Sequence, residues 1–137
     1  MTGRLTPQEA LIYAMMTTSA VDRRISDEEL SRIGSMIQQL PAFEGHDRDW
    51  LLAEAQDCGR VLVRPEGMKQ VLDMIVGALP ERLRETAYAL AAEVAAADLK
   101  IRAEEVRFLE LLAKALELDK LTCAALERAA QARHRRL

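Results

Sequence analysis

Four carboxylates stand where they could share one chemistry. The stretch "SAVDRRISDEELSRIG", residues 19–34, is echoed by "AAADLKIRAEEVRFLE", residues 95–110. Asp22 answers to Asp98, Ile25 to Ile101, Glu28 to Glu104 and Glu29 to Glu105, at a constant offset of 76 residues (22 to 98, 29 to 105). In each copy an Asp closes one helical segment and the second Glu opens the next. A tight connection can aim both side chains at one point, and hard cations such as Ca²⁺ gather oxygens of this kind. The pattern D-x-x-I-x-x-x-E is also the back half of an EF-hand loop, with Asp at its fifth position and Glu at its twelfth. The front half is missing: Thr18 and Ala20 stand there in the first copy, Val94 and Ala96 in the second. Arg23, Arg24 and Lys100 lie beside the carboxylates and oppose a cation. The same residues also have structural uses. Asp22 and Asp98 can accept backbone N–H groups in Asx-turns. Glu28, Glu29, Glu104 and Glu105 suit the positive end of a helix dipole. Ile25 and Ile101 can plug the corner into the core. Both readings stay open at this level. The cation reading makes Asp22, Glu29, Asp98 and Glu105 the metal ligands.

Other chemistry is sparse. The two histidines, His46 in a loop and His134 in a basic tail, fall in no HExxH spacing. There is no G-x-S-x-G elbow and no glycine loop to cradle a phosphate. A non-enzymatic protein is therefore expected. Cys58 and Cys123 are far apart and sit at helical positions that suit buried, reduced thiols. Glu93, inside an Ala-rich segment, either reaches the acidic corner or faces solvent. Met15, Met16, Met36, Met68 and Met74 read as core filler. Trp50 is expected to cover the core beside Phe43. An exposed Trp50 would instead point to a partner surface.

Seven helices must position these residues. The first runs from about Pro7 to Val21, with Thr6 as N-cap, Pro7 at the first helical position and Glu9 completing a capping box. The second runs from about Asp27 to Leu40, with Ser26 and Glu29 forming another box, and Pro41 ends it. Leu30, Ile33, Ile37 and Leu40 give it an apolar stripe. The third covers Arg48 to Leu62 after Asp47, with Leu51, Ala55, Cys58 and Leu62 inward. The fourth starts at Pro65 and turns Met68, Leu72, Ile75 and Leu79 inward. The fifth runs from Pro80 to Asp98 along Leu83, Ala87, Leu90 and Val94. The sixth covers Ala103 to Leu116, and the seventh follows Asp119 to about Arg133. No alternating strand pattern competes. The predicted fold is an all-α bundle filling residues 1–137 as one domain. Helices one and two, and five and six, form two related αα-hairpins with pseudo-twofold symmetry.

Composition agrees. Half the chain is hydrophobic, enough for a real core, while aromatics are only 4%. That core is built from Ala, Leu, Ile, Val and Met, and Ala and Leu are the best helix formers. The net charge of −3, with acids and bases intermixed, excludes the one-sided basic excess of a nucleic-acid binder. The basic end "ARHRRL" suits the C-terminus of a helix. The N-terminus has no signal pattern, and the run "AYALAAEVAAA" is too short and polar to span a bilayer. A cytoplasmic protein without membrane insertion is expected.

The segments "ALIYAMMTTSAVDRRISDEELSRIG" and "RETAYALAAEVAAADLKIRAEEVRFLELLAKAL" resemble the TerB family, tellurite-resistance-associated helical domains of bacteria. The flanking "PQEAL" and "ALERAAQARH" extend the resemblance over nearly the whole chain. Its most recognisable element is the repeated A-D-x-x-[IV]-x-x-x-E. The family's usual Gly after the Asp is replaced here by Arg23 and Leu99. The resemblance implies about seven helices around a pseudo-twofold core and an acidic surface proposed to bind a divalent cation. It implies a binding module in stress responses that works with a protein partner, in some members within a membrane-associated complex. Carried over by position, the metal residues are Asp22 and Glu29 with Asp98 and Glu105.

Overall fold

A computed structural model describes residues 4–20, 25–98 and 102–137. Asp22, Arg23, Arg24, Leu99, Lys100 and Ile101 lie outside the described residues, and so does the expected end of the first helix at Val21. The described chain is all-α, with no strand among the described residues. Its helices are α1 (Pro7–Ala20), α2 (Asp27–Gln38), α3 (Leu51–Leu62), α4 (Gly67–Ala78), α5 (Arg84–Ala97), α6 (Ala103–Ala115) and α7 (Lys120–Arg133).

The starts of these helices follow from local chemistry. Thr6 Oγ1 accepts from Glu9 N at 3.1 Å and Thr6 N donates to Glu9 Oε1 at 2.8 Å, so α1 opens on a complete capping box. Ser26 and Glu29 do the same for α2, and Asp119 caps α7 by accepting from Thr122 N at 2.7 Å. Short 3₁₀ turns, Arg48–Trp50 and Glu81–Leu83, lead into α3 and α5 where continuous helix is expected from the sequence. The fourth helix is a correction of two residues. Pro65 and Glu66 belong to a tight turn, with Glu66 left-handed at φ 60°, and α4 begins at Gly67.

α1 is apolar or small on every side, and Ala10 through Ser19 are all buried. Such a helix cannot lie on a surface. It runs through the centre and packs on α5, α3, α4, α6 and α2. Its hydroxyls are satisfied locally: Thr18 Oγ1 donates to Ala14 O at 2.8 Å, and Thr17 Oγ1 meets the Cys58 thiol at 3.4 Å. The hairpins α1–α2 and α5–α6 meet through α1 and α5, and α7 covers the far side of α5. Tyr88 of α5 donates to Glu127 of α7 across that contact. Met15 and Met16 are buried and Met36, Met68 and Met74 pack against the core, as their spacing predicts. Both cysteines are buried free thiols. No helix among the described residues is long and apolar enough to cross a membrane.

Candidate functional site

The acidic corners use their second Glu in the same way. Glu29 and Glu105 each stand at the third position of a helix. Glu29 Oε1 accepts from Ser26 N at 2.9 Å, and Glu105 Oε1 accepts from Arg102 N at 2.9 Å. Each carboxylate therefore satisfies a backbone donor that the first helical turn leaves open.

Beyond that the copies differ. Glu29 is half-buried and its own N–H is capped by Ser26 Oγ at 3.1 Å. Glu105 is only 2% exposed, and its N–H reaches the Arg102 carbonyl at 3.0 Å instead. Leu30 packs against the core, whereas its counterpart Val106 is exposed. Asp98 ends α5, and its carboxyl hydrogen-bonds the Glu105 carboxyl. Burial pushes the Glu105 carboxyl above its ordinary value, the Asp98 charge adds to the rise, and the Arg102 N–H offsets part of it. The fold thus brings Asp98 and Glu105 together as the spacing predicts. It does not gather Glu29 with them: among the described residues no three His, Cys, Asp or Glu side chains are grouped to hold a metal.

This geometry has a pH consequence. A carboxyl with a raised folded pKa contributes stability that is full below the ordinary range of about 4.3 and is lost as pH rises through the raised value. Gln keeps the acceptor for Arg102 N and offers Asp98 a permanent N–H donor. Glu105→Gln should match the wild type near pH 4 and melt above it at pH 8. A melting temperature below wild type at pH 8 would contradict the raised Glu105 carboxyl.

A second polar cluster lies beyond what sequence spacing singled out. His46 Nε2 faces both oxygens of Glu54, at 2.9 and 3.1 Å, with side chains 2% and 9% exposed. Phe43 and Trp50 meet the imidazole edge-on, with ring centroids at 6.1 and 5.5 Å. His46 Nδ1 is buried with no partner among the described residues. Burial pushes the Glu54 carboxyl up, while the bond and charge of His46 pull it down in smaller measure. An imidazole oriented by a carboxylate is half of a general-base arrangement. Among the described residues no hydroxyl or thiol is bonded to its other nitrogen. What the pair does here is fix the 41–50 connection to α3. Gln8 fixes the same connection to α1, donating to the carbonyls of Ala42 at 3.1 Å and Glu44 at 3.0 Å. The sequence does hold a trace of this: Glu54 falls on the buried stripe of α3 with Leu51 and Cys58.

Trp50 does not cover the core. It is 53% exposed, and Phe43 is buried beside His46 instead. Trp50, His46 and Glu54 form one wall of an open groove of 1270 Å³. The first turn of α1, the end of α2 and the outer face of α5 form the others. Glu93 of α5 is held by Arg133 and by His134, whose Nε2 lies 2.6 Å from Oε1, so it pairs with the end of α7.

The described residues form an all-α bundle with capped acidic corners and a broad groove. No protein-family model, no curated protein and no solved structure matches the chain.

Proposed function

We propose that this chain is a non-enzymatic binding module of the TerB type that docks a protein partner, its acidic corners serving as helix caps. The observation that supports this most directly is common to both corners: Glu29 and Glu105 each turn an oxygen onto the N–H of the N-cap residue. A carboxylate used in that way belongs to the fold. Trp50, half-exposed at the groove, adds support, because exposed tryptophan anchors are enriched where partners bind. The link to tellurite or other stress responses, a membrane-associated complex and a cytoplasmic setting rest on the resemblance alone. Chemical cross-linking in the native host, followed by reconstitution from purified components, tests the reading. A stoichiometric complex of micromolar affinity or better is the expected result. A chain that cross-links to no protein would overturn it.

One observation favours a second reading, a divalent cation at the α5–α6 corner. The Asp98 and Glu105 carboxyl groups lie within hydrogen-bond reach of each other, and a hard cation could bind between them, completed by carbonyls and water. Asp22 and Glu29 would be the equivalent pair in the first copy. Metal-free protein titrated with Ca²⁺, Mg²⁺, Mn²⁺ and Zn²⁺ separates the readings. A ligand of the folded state adds RT ln(1 + [L]/Kd), about 2.7 kcal/mol at a hundredfold excess over Kd. A rise in melting temperature with one ion, lost in Asp98→Asn, would establish the cation site. No rise up to millimolar ion is the result the partner-docking reading predicts.

A further inference from the structure

We propose that the buried His46–Glu54 pair is a proton-dependent latch, holding residues 46–50 on α3 while the pair keeps its proton and freeing them as pH rises.

The connection from α2 to α3 is held in two halves. In the first, Phe43 is buried, and Gln8 of α1 donates to the carbonyls of Ala42 and Glu44. In the second, the backbone bonds stay inside the connection: His46 N donates to Phe43 O and Trp50 N to Asp47 O. The Asp47 carboxylate also accepts locally, from Asp49 N. Among the described residues the only side-chain hydrogen bonds from residues 45–50 to another element are those of His46 Nε2 with Glu54. The ring has no second anchor, since Nδ1 is buried with no partner among the described residues. Gly45 separates the halves. Its φ of 88° lies in the left-handed region that glycine adopts freely, and a Cβ there would meet nothing within 4 Å. The second half therefore has one tether and a pivot. Leu40, Pro41, His46 and Trp50 contribute to one wall of the groove, so release of residues 46–50 reshapes that wall whatever the groove receives.

The charges around the pair set the direction. Both side chains are nearly dry, 2% and 9% exposed. An imidazolium against a carboxylate, or an imidazole against a carboxyl, is neutral overall. Loss of that proton leaves a net negative charge in the interior, where charge is costly. Glu9 of α1 and Asp57 of α3 act on the same carboxyl and add to the cost. Tyr13 of α1 and Cys58 of α3 belong to this cluster but stay neutral, because burial pushes the phenol up and the thiol up to about 11. On the connection, Asp47 is engaged by its cap and Arg48 lies along Gly34 of α2. Arg82, Glu93 and Arg133 line other walls of the groove, with Glu93 held by Arg133 and His134. Burial above all holds the Glu54 carboxyl above its ordinary value, and His46 offsets part of the rise. Such a carboxyl stabilises the closed connection fully below about 4.3 and loses that contribution as pH rises through the raised value.

The test follows hydrogen exchange of the backbone amides and acrylamide quenching of Trp50, the only tryptophan, in the full chain from pH 4 to pH 8. After correction for intrinsic exchange, protection of the His46 and Trp50 amides should fall by up to about tenfold per pH unit between the ordinary carboxyl range and the raised value, then level off. Quenching should rise over the same range, while the amides of the buried helix α1 keep their protection. Glu54→Gln, confirmed as folded by melting, keeps an acceptor for Nε2 but has no carboxyl proton to lose, and should abolish the step. Asp57→Asn removes a repelling charge from an exposed position and should move the step to lower pH. Protection that stays flat across this range would overturn the latch, and so would a step that survives in Glu54→Gln. Parallel loss of protection in α1 would mean global unfolding and would overturn a local device. A midpoint unmoved by Asp57→Asn would overturn the charge cluster as its cause.

Discussion

Glu54→Ala is expected to lower stability by roughly 3 kcal/mol, in the range for removing one partner of a buried pair. Its melting temperature should fall by about 10 °C. The reason lies in what remains. His46 keeps a buried ring whose Nδ1 already has no partner, and the change leaves Nε2 without one too. The imidazole then either stays orphaned or leaves for water, and the 41–50 connection goes with it. Trp50, in edge contact with that ring, should report the release in its emission. Glu54→Gln retains an acceptor for Nε2 and should cost about 1 kcal/mol near pH 5. Its deficit should narrow as pH rises. Burial holds the Glu54 carboxyl above its ordinary value, so the wild-type carboxyl contributes most at low pH and loses that contribution through the raised value. The double change of His46 and Glu54 to Leu should recover most of the loss, because an apolar pair of similar volume needs no partner. Urea melts of the three variants at pH 5 and pH 8 check all of this. A Glu54→Ala protein as stable as wild type would mean that the pair is incidental to the fold.

How much of this was legible beforehand differs by level. Helix starts were readable because capping is a local, side-chain-to-backbone affair, and Thr6, Ser26 and Asp119 cap as their types predict. The repeated corner was readable too, and so was the meeting of Asp98 with Glu105. The difference between Glu29 and Glu105 was not. It depends on what packs over each, and on a core-packed Leu30 against an exposed Val106. The misplaced Trp50 has a similar cause. A 3₁₀ turn over Arg48–Trp50 precedes α3 and carries the indole outward, while His46 fills the place beside Phe43. A loop histidine gives no periodicity to read. Its partner Glu54 does, since a carboxylate in an apolar stripe requires a partner, but the stripe does not say which. The groove is a tertiary object made from separate segments, and no local pattern encodes it.

Gly67→Ala is expected to destabilise by roughly 3 kcal/mol, although helix propensity alone favours Ala by about 1 kcal/mol. The obstacle is backbone. A Cβ at Gly67 would lie 2.7 Å from the Leu62 carbonyl carbon and closer still to the carbonyl oxygens of Val61 and Leu62. Those oxygens end α3 and cannot rotate away as a side chain would. Val61 O is also held by Arg64 N at 3.1 Å, and Gly67 N itself donates to Arg64 O at 2.9 Å. The turn from α3 to α4 is therefore locked from both sides, with Glu66 left-handed in its middle. Relief of the clash must move α4, which packs on α1, α3 and α6. Gly77 is the control. It lies in the same helix, is exposed, and a Cβ there meets nothing within 4 Å. Gly77→Ala should stabilise by about 0.4–1 kcal/mol, mainly by restricting the unfolded chain. The two substitutions are chemically identical and sit in one helix, so denaturant midpoints of opposite sign isolate the close approach of α3 to α4 as the cause. A Gly67→Ala protein with a midpoint at or above wild type would show that the turn can open without cost to the core.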